Sequence, residues 1–237
     1  MIADVHIPTL AAEIFSQTCR SDLSAPGFSV TNVGRAIDSV AFRQLMVDLK
    51  SAMSAIHEVA TGKTLVYLSA ARFDQQTTTK PHLDGGPEEC FLMLGYEPSD
   101  INAELQFSDY TKCAYELGMS PTEFLAKHNP MFRMGQTTLQ PYTTRASNFS
   151  EADYQIVCIN NSTATFSMET PKWQGVLHTA IILTPDESKR RVINSTMIAS
   201  VPIGTPETIT AALQYDFIHT TIVRRQGYDK SHLRDDE

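Results

Sequence analysis

Thr77-Thr78-Thr79-Lys80-Pro81-His82-Leu83-Asp84-Gly85-Gly86 lies between two apolar runs, Leu65 to Phe73 and Phe91 to Tyr96, that both read as strands. In extended backbone, residues two apart share a face, so His82 and Asp84 point the same way at a strand end. The glycines that follow allow the chain, or a ligand, to approach closely. An imidazole and a carboxylate placed this way need one more donor to hold a divalent cation on three corners. His178 is the candidate for it: it lies 94 residues after Asp84, distant enough to come from an opposing sheet, near the start of the apolar run Val176 to Leu183.

Outward from this stretch, the chain reads as short strands with helices at either end. A helix is expected near Pro8 to Thr18 and a strand over Phe28 to Val33, where apolar residues alternate. Phe42, Leu45, Met46, Leu49, Met53 and Ile56 fall at helical spacing, with Asp38 or Ser39 to cap the start and Gly62 just past the end. That apolar stripe predicts a helix packed on the outside of a sheet. Ala103 to Phe107 reads as a short strand and Tyr110 to Leu117 as a short helix. Ser120-Pro121-Thr122-Glu123 is a capping box with proline in the first turn, opening a helix that Asn129-Pro130 stops near His128. From there to Ser150 the chain is polar and irregular, a candidate mouth or lid that carries Tyr142 and Arg145. Tyr154 to Ile159 reads as a strand, Asn160-Asn161-Ser162 as a turn, and Thr163 to Met168 as extended again. Val176 to Leu183 and Arg191 to Ala199 flank Thr184 to Ser188, a hairpin loop by its turn chemistry. Pro206 to Arg224 reads as a C-terminal helix capped by Thr205, with Leu213, Phe217 and Ile218 inward, followed by a charged, fraying tail from Gly227.

With no repeat and no linker, one domain over residues 1–237 is the simplest organisation. It has an N-terminal helical region (1–62), a core (65–200) and a C-terminal helix (206–224). The expected fold is mainly β with flanking helices, an antiparallel double-sheet jelly roll of the cupin-like kind. Neither βαβ alternation nor a Gly-rich phosphate loop occurs, which argues against Rossmann and P-loop proteins.

Composition narrows the function classes. The 237 residues are 42% hydrophobic, enough for a sizeable core. The 27 acidic against 19 basic residues give a net charge of -8 with no basic stripe, which argues against nucleic acid or an anionic membrane as partner. The first twenty residues hold Asp4 and Glu13 and no basic residue before Arg20, unlike a secretory signal, and no apolar run approaches the roughly 20 residues needed to span a bilayer. Cys19, Cys90, Cys113 and Cys158 sit mostly in apolar surroundings and read as buried free thiols of a reducing compartment. A cytoplasmic protein with a small-molecule substrate is expected, and its oligomeric state is left open.

Arg190 and Arg191 follow His178 by 12 and 13 residues. His82-x-Asp84, then His178, then one of these arginines resembles the Fe(II)/2-oxoglutarate-dependent dioxygenase superfamily across roughly residues 65–198. The resemblance implies a double-stranded β-helix in which two imidazoles and one carboxylate bind Fe(II) on one face and leave three positions open. It further implies that 2-oxoglutarate and O2 fill those positions, and that the products are succinate, CO2 and an oxidised substrate. An arginine holds the far carboxylate of 2-oxoglutarate, because a forked, permanent cation suits it better than lysine does. Halogenating relatives lack the carboxylate ligand, so Asp84 points to hydroxylation, or to a related desaturation or cyclisation. One departure stands out: many relatives carry Ser or Thr two residues after the arginine, where this chain has Val192 or Ile193. Adjacent strand residues face opposite ways, so only one of Arg190 and Arg191 can serve.

Arg72 and Thr79 are further candidates for holding the co-substrate, although a salt bridge accounts for Arg72 equally well. Tyr67 is a pocket candidate of the same standing as Thr79, and Tyr142 and Arg145 could meet substrate at the mouth. Trp173 is expected to pack on the sheet. His6, His57, His128, His219 and His232 are assigned no role. Two rival functions fit the same pattern: a cupin-type metal enzyme that does not use 2-oxoglutarate, and a non-enzymatic jelly-roll binding module with structural histidines.

Overall fold

The computed structural model describes residues 6–226. The tail from Gly227 and its His232 lie outside the described residues. Among the described residues nine strands form two sheets. A six-stranded sheet has the order β1 (Phe28–Gly34), β6 (Tyr154–Asn160), β3 (Cys90–Tyr96), β8 (Val192–Pro202), β2 (Lys63–Gln75), β9 (Arg224–Gln226). A three-stranded sheet has the order β5 (Thr143–Arg145), β4 (Ala103–Ser108), β7 (Leu177–Ile182). All pairings are antiparallel except β2 with β9. The architecture is thus mostly antiparallel sheet with flanking helices, and the sheets do not close on one another.

The larger sheet is covered on both faces, which is why β3 reads as the unbroken run Cys-Phe-Leu-Met-Leu-Gly-Tyr and all seven of its residues are buried. Phe91 and Met93 pack on the helical side, whereas Leu92, Leu94 and Tyr96 point between the sheets. On the helical side lie α1 (Ile7–Thr18), α2 (Ser39–Thr61) and α6 (Ala211–His219). Asp38 caps α2 by accepting from the Val40 and Ala41 N–H groups, and Gly62 ends it at φ 68°. Phe42, Leu45, Met46, Leu49 and Met53 of α2 are buried at 4% exposure or less, each contributing about 1.5–3 kcal/mol. Gly95 is required here: a Cβ on it would lie 2.5 Å from the Met46 sulfur and 2.7 Å from the Phe42 ring. The inter-sheet layer joins Leu92, Leu94 and Tyr96 to Leu105 and Phe107 of β4, Val157 and Ile159 of β6, and Ile193 and Met197 of β8.

Several local expectations differ from the structure. β7 pairs with β4 in the small sheet and β8 with β2 and β3 in the large one, so Thr184 to Ser188 links two sheets rather than closing a hairpin. Residues 163–168 form no strand, and the turn expected at 160–162 is the end of β6 followed by irregular chain. The region expected to be irregular after Asn129-Pro130 contains α5 (Arg133–Leu139), a 3-10 turn (Gln140–Tyr142) and β5. It follows α3 (Tyr110–Glu116) and α4 (Pro121–Lys127), whose capping box forms as expected. The C-terminal helix is shorter than expected: Thr210, not Thr205, caps α6, and Leu213 is 49% exposed while Phe217 and Ile218 are buried. Among the described residues no helix is long and apolar enough to cross a membrane, and Cys90, Cys113 and Cys158 are buried free thiols.

Candidate metal centre

β2 leaves the large sheet at Gln75, and the chain then runs along β7 of the small one. Two of the three threonines, Thr78 and Thr79, make this possible. Thr79 N–H donates to the Ala180 carbonyl at 2.9 Å, and its hydroxyl accepts from Ala180 N–H at 2.9 Å. The Thr78 hydroxyl accepts from Ile182 N–H in the same way, so side-chain oxygens substitute for the carbonyls of a regular ladder. Two residues after Lys80 the backbone pairs properly: His82 N–H donates to His178 carbonyl (3.2 Å) and His178 N–H to His82 carbonyl (3.0 Å). This bridge sets the two imidazoles beside each other, ring centroids 4.1 Å apart and inclined at 45°.

Asp84 completes the cluster. Its Oδ1 lies 3.8 Å from His82 Nε2, and one ligating atom from each of His82, Asp84 and His178 falls within 4.8 Å of the others. The donor set fits a divalent cation on chemical grounds. His82 Nδ1 is 2.7 Å from the Lys80 carbonyl; a carbonyl only accepts, so Nδ1 carries the proton and the Nε2 lone pair is free. His178 Nδ1 is buried with no hydrogen-bond partner. Burial, and secondarily the adjacent His82, lower the His178 pKa to about 3, so the ring is a neutral donor at physiological pH.

A residue read as part of a turn holds Asp84 in place. The Asn161 side chain, in a residue 1% exposed, accepts from Asp84 N–H through Oδ1 at 3.0 Å and donates through Nδ2 to the Asp84 carbonyl at 2.7 Å. Its own N–H donates to the Cys90 carbonyl at the start of β3. The consecutive Asn160 and Asn161 carry no spacing signal that distinguishes this role from turn formation.

The triad opens on a cavity of about 520 Å³ between the sheets. Thr79, Gln75, Phe73, Tyr96, Ile193 and Ser195 are among its walls. The two arginines behave differently. Arg190 is exposed, whereas Arg191 is 2% exposed, donates through Nη1 to Gln75 Oε1 at 3.1 Å and lies over the Tyr96 ring at 4.9 Å. Its Nε and Nη2 are buried without partners, an unusual state for a charged group. Arg72 does not line this cavity. It sits in a different cluster, paired to Glu97 at 3.0 Å, and Arg43 reaches Glu97 from the other side at 3.3 Å. Tyr67 is also elsewhere, buried under α2 with Lys50 over its ring. Tyr142 hydrogen-bonds Glu116, Arg145 pairs with Glu104, and neither borders the triad's cavity. Trp173 packs on the helical side of the large sheet, as expected.

No protein-family model matches the chain, and no curated protein matches it. Among solved structures, two of the iron and alpha-ketoglutarate-dependent endoperoxidase NvfI match at 13% identity. One, in a different conformation, has a TM-score of 0.39 and covers 76% of this chain and 79% of its own. The other has a TM-score of 0.38 and covers 76% and 81%. A likeness this distant assigns no activity to the chain.

Proposed function

We propose that the chain is a single-domain non-haem iron(II) oxygenase on a double-stranded β-helix core, using 2-oxoglutarate and O2 to oxidise, most simply to hydroxylate, a small molecule. The convergence of His82, Asp84 and His178 within 4.8 Å at one end of an inter-sheet cavity carries this reading. These three residues would hold the metal, which supplies the oxidising chemistry together with 2-oxoglutarate and O2. Two neutral imidazoles and one carboxylate leave half of an octahedral shell for other ligands.

The chain's own residues have separable tasks. Lys80 carbonyl holds His82 in the tautomer that leaves Nε2 free. Arg191 is the better of the two arginines for the far carboxylate of 2-oxoglutarate, since it is buried beside the cavity and has two N–H-bearing nitrogens without partners. Leu92, Leu94 and Ile193 give the cavity apolar walls that exclude water from the reacting atoms. Binding of 2-oxoglutarate to the Mn(II)-loaded protein, followed by calorimetry, tests the assignment. It should require metal, survive Arg190→Met and fail in Arg191→Met; binding retained by Arg191→Met overturns it.

One observation favours a metal enzyme that does not use 2-oxoglutarate. The Tyr96 ring lies over the Arg191 guanidinium and Gln75 is bonded to it, so a carboxylate reaches the enclosed Nε and Nη2 only where one of these side chains swings aside. The same titration separates the two readings.

A further inference from the structure

The cavity beside the triad is nearly devoid of charge. Among the described residues, its walls contain no Asp, Glu, Lys, Arg or His apart from His82, Asp84 and His178. Leu92, Leu94, Phe73, Ile193 and Met197 dominate, and Ser69 and Ser195 provide hydroxyls. Arg191 lies behind Tyr96 and Gln75.

We infer that the molecule oxidised here is uncharged and largely apolar where it enters the site, and is not a free amino acid. The inference rests on the oxygenase reading above. A zwitterion brings an ammonium and a carboxylate, and each must be paired when it leaves water. With Arg191 given to the co-substrate, the walls offer neither a cation for the carboxylate nor, once Asp84 holds metal, an anion for the ammonium. Space is sufficient. Ten non-hydrogen atoms of 2-oxoglutarate, at no more than a water's share of about 30 Å³ each, take up to about 300 Å³. About 200 Å³ or more of the 520 Å³ remains, enough for a small ring or for one limb of a larger molecule. The register carries the apolar floor along the sheet, since Met197 pairs with both Leu92 and Ser69, and Ile193 with both Tyr96 and Phe73.

The test titrates the neutral fluorophore N-phenyl-1-naphthylamine into the protein with and without Mn(II) plus 2-oxoglutarate, then adds cyclohexanol or leucine as competitor. Binding of the fluorophore, its displacement by cyclohexanol and no displacement by leucine at the same concentration are expected. Ser69→Lys, at an exposed position on the cavity wall, should weaken the fluorophore at least tenfold. Displacement by leucine equal to or better than cyclohexanol, or a fluorophore signal unaffected by Ser69→Lys, overturns the inference. Failure of 2-oxoglutarate to bind while the fluorophore pattern holds removes the oxygenase reading and leaves an apolar cavity for a neutral ligand.

Discussion

Replacing Asn161 with alanine removes two hydrogen bonds to the backbone of Asp84, at 3.0 and 2.7 Å. Each such bond contributes about 1 kcal/mol net. Both bonds are part-buried, so water can reach the freed backbone groups in part, and the cost should stay near the low end, about 2 kcal/mol. In a chain of this size that lowers Tm by about 4–8 °C. The informative quantity is metal affinity. If the clamp presets the carboxylate, its loss should weaken binding by about 10–100-fold, as other losses of outer support around metal ligands do. Calorimetric melting in chelator gives the first number, and Co(II) titration of the folded variant, followed by its visible absorption, gives the second. A lowered Tm with unchanged Co(II) affinity would show that Asn161 only braces the loop. No change in Tm would refute the clamp itself.

Four other outcomes follow from the geometry. Mn(II) at about 100 times its Kd should stabilise the wild type by about 2.7 kcal/mol, reversibly with chelator; Asp84→Ala should show no such gain, and absence of the gain in the wild type would favour a binding module with structural histidines. Arg190→Ala, at an exposed position, should change melting by no more than about 0.5 kcal/mol, whereas Arg191→Met should lose 2-oxoglutarate binding. Gly175→Ala would place a Cβ 1.9 Å from the Ser162 carbonyl oxygen, and the forced backbone shift should cost at least about 1–3 kcal/mol in denaturant melts. Burial pushes the Cys113 thiol to about 11 and that of Cys158 to about 12, so iodoacetamide at pH 8 should label neither in the native protein and both in urea; rapid native labelling of Cys158 would contradict its burial.

The most legible parts of the sequence were those in which one local rule acted alone. The α2 stripe with its Asp38 cap and Gly62 stop, and the Ser120 capping box, are short-range patterns that tertiary packing had no reason to override. The side-by-side arrangement of His82 and Asp84 followed from strand periodicity, and the meeting with His178 followed from the superfamily resemblance. Failures came where pairing partners are distant. Thr184 to Ser188 has good turn chemistry, but a turn does not say which sheet the next strand joins, and β8 finds β3 and β2 instead of β7. Arg190 and Arg191 differ in burial, which two adjacent identical residues cannot encode. Of the two readings open for Arg72, the salt bridge is the one observed, because β2 alternates faces: Phe73 looks into the cavity, so Arg72 looks away to Glu97. Asn161 escaped notice because an asparagine after a strand has the composition of any turn.

If His82, Asp84 and His178 hold a metal as proposed, the bridge between His82 and His178 makes that chelate a property of the joined chain. The two histidines of the bridge stand 96 residues apart, and tying a loop of that length costs about 4 kcal/mol beyond a fixed constant. A cut between 86 and 175 would therefore divide the donors between two fragments, neither able to grip the ion by itself. Uptake of metal by such a mixture would report reassembly of the fragments directly, making the centre a built-in complementation sensor.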